Sequence, residues 1–141
     1  MKSLTPYILS AFMMVQLSCT QGERDNASKD LSGDGLAEIQ FVKTEHDLGR
    51  ILQGETVGYN FEFSNAGESA LLILEARAGC GCTVPRFSKK PVHPGESGTI
   101  EVVFDSSGRM GQQLKTVTLR TNSIEPTVKL TITADIVKQD S

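Results

Sequence analysis

The sequence has no excess of basic residues, and this bears first on what the protein binds. It contains 14 lysines and arginines against 17 aspartates and glutamates, which gives a formal charge of −3. No basic run with interleaved aromatic residues occurs. Nucleic acid binding depends on positive charge gathered on one surface. We therefore exclude nucleic acid as a partner.

The motifs of common catalytic sites are also missing. There is no Gly-x-Ser-x-Gly sequence around a nucleophile and no Walker-type phosphate loop. The only two histidines are His46, before Asp47, and His93, before Pro94. We expect both to be surface turn residues and neither to be a catalytic group or a metal ligand. The carboxylates are scattered through predicted turns, where they are ordinary solvated surface groups and need no catalytic role. The sequence thus predicts a protein that is not an enzyme and has no cofactor.

No apolar run reaches the length of about 20 residues that spans a bilayer. The apolar stretch over residues 7–15 follows Lys2 and has the length of a signal-peptide core. We predict that residues 1–18 are a signal peptide. The protein is then exported.

Cys19 follows the apolar core directly, with Ser18 before it. This arrangement resembles the lipobox of bacterial lipoproteins, in which the cysteine is lipidated and becomes the first mature residue. Gln16 departs from the motif, which prefers leucine there, and an ordinary signal peptide cut nearby is the alternative. The chain has three cysteines, and an odd number would leave one unpaired in an exported protein. Lipidation of Cys19 leaves two, which can pair with each other. We predict a lipid anchor in the bacterial cell envelope, with the protein facing the periplasm or the cell surface.

The sequence predicts a chain divided into four segments. Residues 20–37 are polar, contain glycine and show no periodicity, so they cannot bury enough apolar surface to offset the entropy of ordering. The predicted organisation is a signal peptide (1–18), the lipidated Cys19 with a flexible tether (19–38), a folded domain (39–137) and a short tail (138–141).

From Ile39 onward apolar residues recur with a period of two, which is typical of β-strands with one buried face. The clearest example alternates from Val57 to Phe63. Turns are predicted before Arg50, at Asn65–Gly67 and at Pro94-Gly95, which suits the centre of a type II turn. The apolar run over residues 70–76 is predicted to be a central strand. About seven short strands predict an all-β, immunoglobulin-like antiparallel sandwich. The sequence departs from antibody-type domains, because it has no tryptophan and its two remaining cysteines are too close in sequence to join two sheets. A sandwich of the kind found in pilus chaperones or major sperm protein is therefore an alternative. The predicted core comprises Tyr59, Phe61, Phe63, Leu72, Leu74, Ile100, Val102, Phe104, Val117, Leu119, Leu130 and Ile132.

Cys80 and Cys82 form the most unusual stretch, with glycines at 79 and 81. In an extended strand their Cα atoms would lie about 6.6 to 7.2 Å apart, at or beyond the usual limit for a disulfide of about 6.8 Å. A bend at Gly81 would bring the sulfurs together. Three interpretations stay open: a local disulfide; a metal site made by two thiolates, for Cu(I) or, with more ligands, Zn(II); and a pair of partly buried thiols. Because export exposes the pair to an oxidising environment, we predict the disulfide, and we expect the fold not to depend on it.

Several short motifs together resemble a bacterial family, domain-of-unknown-function family fifteen-seventy-three. The hallmark of the family is Cys-Gly-Cys-Thr, present here at Cys80–Thr83, and the resemblance runs from about Phe41 to Ile136. Leu48 departs from it, since an aromatic residue is commoner there. The resemblance implies an immunoglobulin-like domain of exported proteins, often lipoproteins, and it implies no reaction. The other matching motifs are His46–Gly49, Gly54-Glu55, Phe61–Gly67, Pro94–Glu96, Phe104–Gly108 and Lys115–Val117.

Two functions remain open at this point. The first is a membrane-tethered module that binds or assembles with an unknown envelope protein through sheet edges and loops. The second is a thiol-redox or Cu(I)-handling envelope protein that uses Cys80 and Cys82. The lack of further metal ligands in the sequence favours the first. The oligomeric state does not follow from the sequence.

Overall fold

A computed structural model describes residues 36–138. The predicted signal peptide, Cys19 and most of the predicted tether and tail lie outside these residues. The described part contains strands and no helix, so none of it forms a helix that could cross a bilayer. The strands are β1 (Ile39–Phe41), β2 (Glu45–Leu52), β3 (Thr56–Asn65), β4 (Ile73–Ala78), β5 (Thr83–Phe87), β6 (Ser97–Asp105), β7 (Gly111–Thr121) and β8 (Thr127–Val137).

The strands form two four-stranded sheets, in the orders β1-β3-β6-β5 and β2-β8-β7-β4. Neighbouring strands are antiparallel except β2 and β8, which are parallel. The predicted all-β, immunoglobulin-like sandwich is confirmed. It has eight strands where the sequence predicted about seven.

The core lies between the sheets, where the period-two pattern places it. Phe61 is fully buried opposite Ile100 in the β3–β6 register. Tyr59 is only half-buried, and its ring meets the edge of the Phe61 ring at a centroid distance of 4.9 Å. Apart from Leu72 and Leu74, the remaining predicted core residues are buried as expected.

The prediction for the run at residues 70–76 was wrong in two respects. It was interpreted as a central strand, whereas β4 lies at the edge of its sheet. Leu71 and Ile73 are buried, whereas Leu72 is half-buried and Leu74 is 51% exposed. A continuous apolar run has no period to identify the buried face, and the β4–β7 register shifts between Ile73 and Glu75.

Strand β5 was missed in the sequence. It pairs with β6 at the edge of its sheet, with Thr83 buried and Val84 exposed. Pro85 lies within it, which an edge strand tolerates because one side of its backbone needs no hydrogen bonds. The proline and the weak alternation concealed the strand.

Two glycines with positive φ determine local turns. Gly95 has φ 81°, and the Glu96 N–H donates to the His93 carbonyl at 2.9 Å, which confirms the type II turn. Gly49 has φ 71° and lies where the β2–β8 register shifts. The predicted turn before Arg50 is therefore a bulge inside the continuous strand β2.

The chain enters the sandwich at what we call the proximal end, where Ile39 pairs with Asn65. Ala37, which the sequence placed in the tether, is 1% exposed and bridges Ser123. A Cβ atom at Gly67 would collide with the backbone of residues 36–38. Ordered packing therefore begins before Ile39.

The opposite end, which we call the distal end, is formed by the β2–β3, β4–β5 and β6–β7 connections. Strand β6 runs toward it, from Ser97 opposite Ser64 to Asp105 opposite Thr56. At about 3.4 Å per residue, the two ends of this strand are roughly 27 Å apart.

Replacing Phe61 with alanine tests this core. Because the ring is fully buried, Phe61→Ala should lower the free energy of unfolding by about 3 to 5 kcal/mol. Urea denaturation followed by far-UV circular dichroism measures the change. Val84→Ala, at an exposed site in β5, is the control and should change stability by less than about 0.5 kcal/mol. Equal effects of the two substitutions would contradict the assignment.

Candidate functional site

The cysteine pair lies at the distal end, in the connection that carries the chain from β4 in one sheet to β5 in the other. The structure joins Cys80 and Cys82 by a disulfide, with sulfurs 2.01 Å and Cα atoms 5.3 Å apart. The Cα separation is short because the chain turns here, and the Thr83 N–H donates to the Cys80 carbonyl at 3.3 Å. The oxidation state of the pair in the exported protein stays a prediction.

Hydrogen bonds fix this connection to both sheets. The Gly79 N–H donates to the Thr116 carbonyl of β7 at 3.0 Å, and the Asp105 N–H donates to the Cys82 carbonyl at 2.9 Å. The buried Thr83 hydroxyl lies 3.6 Å from Sγ of Cys80 and 3.8 Å from Sγ of Cys82. The two backbone hydrogen bonds do not involve the sulfur atoms, so we expect them to persist when the disulfide is reduced.

Metal ligands do not gather around the pair. Within residues 36–138, no group of three or more histidine, cysteine, aspartate or glutamate side chains is placed to hold a metal ion. A zinc site would need about four such ligands. The arrangement offers a disulfide or two thiols, both half-exposed.

The early exit of β4 leaves part of β7 without a neighbour. Strand β4 pairs with β7 only up to Ala78 opposite Val117, and Gly79 adds one bond to Thr116. Strand β7 continues to Gly111 with β8 on its other side. Over residues 111–115, no described strand pairs with its outer side. We call this segment the free edge.

The direction of the backbone groups on the free edge follows from two hydrogen bonds. The Thr116 carbonyl points away from β8, since it accepts from Gly79, and the opposing Thr131 N–H points away from β7, toward the Thr44 carbonyl at 2.8 Å. In an antiparallel ladder alternate residues repeat this direction. The N–H and C=O groups of Gln112 and Leu114 therefore point out of the free edge.

Two cations lie beside the free edge. Lys115 shares the inward face of β7 with Val117, and its Nζ lies 5.9 Å from the centre of the Phe104 ring. Burial, and secondly the charge of Arg109, lower the pKa of Lys115 below its ordinary value. Arg109 Nε is buried and has no hydrogen-bond partner among the described residues. In that same part of the chain neither cation forms an ion pair.

One carboxylate is near this cationic pair. Hydrogen bonds from Ser107 lower the pKa of Asp105, and the charge of Arg109 contributes less. The Ser107 N–H donates to this carboxylate at 2.9 Å. Asp105 is thus ionised but already engaged, and it leaves Arg109 Nε unsatisfied.

The outer face of the β2-β8-β7-β4 sheet carries an exposed apolar residue beside the free edge. Leu114 is 64% exposed. It borders a shallow groove of about 620 Å³ that also includes Asp47, Arg50 and Asp135. The distal end therefore combines exposed apolar area, unpaired backbone groups and positive charge.

A second cluster lies on the other side of the sandwich, where β2 faces β3. His46 stacks on Tyr59 with ring centroids 3.6 Å apart. Lys43 Nζ lies 2.9 Å from His46 Nδ1 and 4.7 Å from the Tyr59 ring centre. Burial, and then the charge of Lys43, lower the pKa of His46, while Asp47 opposes them. The prediction of a surface turn for His46 was wrong, because it is a half-buried strand residue; His93 lies in a turn as predicted.

Sequence reasoning singled out the cysteines but missed Arg109, Lys115 and the free edge. One signal was present: Lys115, Val117 and Leu119 alternate, which places a lysine on the core side of a strand. The free edge depends on where β4 ends. No local pattern encodes that.

The sequence of residues 39–136 matches the family model described as Protein of unknown function (DUF1573). The chain belongs to this family. The resemblance expected from the Cys-Gly-Cys-Thr motif is thereby confirmed. Membership of DUF1573 supports the fold and assigns no reaction. No curated protein matches the chain.

Solved structures similar to this DUF1573 domain share its fold. A protein of unknown function from Porphyromonas gingivalis W83 superposes with a TM-score of 0.64 at 16% identity, over 77% of this chain and 51% of that one. The chain thus spans about half the length of that protein. The PapD-like domain 7 of human CEP192 gives 0.57 at 10% identity, over 74% and 89%. The VesB protease of Vibrio cholerae gives 0.57 at 19% identity, over 70% and 32%. At such identities the similarity concerns the fold alone.

Reduction of the cysteine pair should leave the DUF1573 domain folded. A disulfide closing about 15 residues gives roughly 3 kcal/mol in the chain-entropy model, and a shorter loop gives less. The melting temperature of the reduced protein should therefore fall only slightly and match that of the Cys80→Ser, Cys82→Ser double variant.

Intact mass after alkylation without reductant tests the pairing itself. We expect no alkylated thiol at Cys80 or Cys82 in protein isolated aerobically from the envelope. Two alkylated thiols would contradict the disulfide, and one tightly bound copper per chain would support the Cu(I) site instead.

The His46 cluster should make stability depend on pH. Because the folded state lowers the pKa of His46, protonation favours the unfolded state. The stabilising contribution is complete above the unfolded value of about 6.5 and decreases as the pH falls through the lower folded value. Melting temperatures measured between pH 7.5 and 5 should show this decrease.

Two variants isolate the contribution of His46. His46→Phe keeps an aromatic ring against Tyr59 without a titrating group, so this part of the pH dependence should disappear. His93→Gln should retain it. An identical pH profile for wild type and His46→Phe would show that His46 is not responsible.

Proposed function

We propose that this chain is an exported, lipid-anchored protein whose sandwich is a binding module for another protein of the bacterial cell envelope. One observation carries the proposal: the chain enters at the proximal end, whereas the free edge lies at the distal end. An anchor upstream of Leu36 would then hold the domain with its free edge away from the membrane. Unpaired strand edges bind extended segments of partners through backbone hydrogen bonds.

A binding role is supported by what the described residues do not assemble. Catalysis needs a nucleophile, base or metal with a supporting pocket. His46 is stacked on Tyr59 and bonded to Lys43, and no metal-holding group occurs in residues 36–138. We therefore propose that the protein has no enzymatic activity.

The half-exposed cysteine pair supports a second candidate, a thiol-redox or Cu(I)-handling function. Cys80 and Cys82 are close enough for a reversible bridge. The bridge lies at the same distal end as the cations Arg109 and Lys115, and positive charge close to a cysteine favours its thiolate. Retention of the envelope function by a Cys80→Ser, Cys82→Ser variant would exclude this candidate.

The anchor is tested by Cys19→Ala. This variant should lose membrane association or remain unprocessed, because two or more acyl chains hold a protein stably whereas an unlipidated one has no anchor. Cell fractionation and the mass of the N-terminal peptide measure the effect. Cys82→Ser is the matched control and should remain in the membrane. Unchanged fractionation of Cys19→Ala, with no lipid mass on the wild-type peptide, would disprove the anchor.

Binding to an envelope protein is tested by chemical cross-linking in intact cells. The wild-type protein should give a discrete adduct, and Cys19→Ala should give less of it, because the domain is no longer held at the envelope. Absence of any adduct from correctly localised wild-type protein would contradict the binding role.

A further inference from the structure

The free edge sets strict geometric conditions on what binds there. A strand added beside residues 111–115 would receive hydrogen bonds from Gln112 and Leu114, whose backbone groups point outward. Its side chains would alternate between the two faces of the sheet. A residue opposite Leu114 would therefore lie on the outer face, and its sequence neighbours would lie on the inner face beside Lys115.

The side chains at these positions define the chemistry of the occupant. On the outer face Leu114 is 64% exposed, and an apolar neighbour would cover it. On the inner face Lys115 carries positive charge, and Arg109 in the β6–β7 connection lies close enough to lower its pKa. Neither cation forms an ion pair in the described chain. A carboxylate on the added strand would pair with these cations.

We propose that the free edge of β7 binds an extended segment of a partner protein in which apolar and acidic side chains alternate. The segment adds to the β2-β8-β7-β4 sheet as a fifth strand. Its apolar residues cover Leu114, and an acidic residue faces Lys115 and Arg109. The inference rests on the proposed binding function and specifies both its site and the class of partner.

Charge argues against a second copy of this chain as the occupant. Pairing two free edges about a two-fold axis would bring both copies of Lys115 and Arg109 to one interface. Like charges facing each other across paired strands are destabilising. An acidic segment instead complements them.

A synthetic seven-residue peptide in which valine and glutamate alternate is the probe. It is titrated into the full chain in detergent, and binding is measured by calorimetry and by amide hydrogen exchange. The peptide should bind, and the exchange of the Gln112 and Leu114 amides should slow. A peptide with lysine in place of glutamate should bind at least about tenfold more weakly, which is the effect of losing one charge-assisted hydrogen bond.

Two substitutions locate the site. Lys115→Gln should weaken binding about tenfold. Lys129→Gln is the matched control and should leave binding unchanged, because Lys129 is an exposed residue of β8 away from the free edge. Leu114→Pro removes the outward N–H without removing a bond to β8, and it should abolish binding. Circular dichroism checks that Leu114→Pro folds; if it does not, Lys115→Gln still decides the outcome.

Several results would overturn the inference. Equal binding of both peptides, or equal affinity of Lys115→Gln and Lys129→Gln, would exclude recognition of an acidic strand. Sedimentation as a dimer that Leu114→Pro dissociates would assign the edge to a second copy. Slow exchange at Gln112 and Leu114 in the peptide-free monomer would assign it to a segment of the chain itself. A cross-linked envelope adduct that persists in Lys115→Gln and Leu114→Pro would leave the binding function standing and place it elsewhere.

Discussion

The buried side chain of Asn65 holds the proximal end together. Its Nδ2 group donates to the carbonyls of Ser69 and Val92, both at 2.8 Å, and its Oδ1 accepts from the Gly67 N–H at 3.0 Å. The Asn65 backbone adds bonds to the turn that contains Gly95. Because Asn65 is 1% exposed, these bonds satisfy polar groups that burial would otherwise leave unpaired. The entry of the chain, the end of β3 and the turn before β6 all depend on this one amide.

At the distal end, by contrast, the backbone groups of the free edge are left without partners among the described strands. The chain leaves β4 at Ala78 and crosses to the other sheet through the cysteine connection. This crossing ends the pairing of β7 while β7 itself continues to Gly111. An unpaired edge is a hazard for aggregation, and proteins commonly protect such edges with charged residues. Lys115 and Arg109 fit that role and also restrict what can pair there.

The sequence predicted features that depend on local alternation and missed those that depend on where strands stop. Val57 to Phe63 alternates regularly, so the buried face of β3 was correct. Leu71 to Leu74 has no alternation, so its buried face was assigned the wrong way round. Asn65 was recognised as a turn residue, but its burial comes from the segments at residues 36–38 and 92–96, which are distant in sequence. The free edge was invisible for the same reason: it is created by the departure of a different strand.

The direction of β1 and β2 determines how the sandwich carries mechanical load. Both strands run from the proximal end toward the distal end, β1 along β3 and β2 along β8. Tension between the N-terminal segment and anything held at the distal end therefore pulls them along their own axes. Their backbone hydrogen bonds are then loaded together in shear, and they do not open one after another. Forced unfolding is governed by the unfolding rate. The resistance of the domain to pulling from its N-terminal side is therefore not given by its free energy of unfolding at equilibrium.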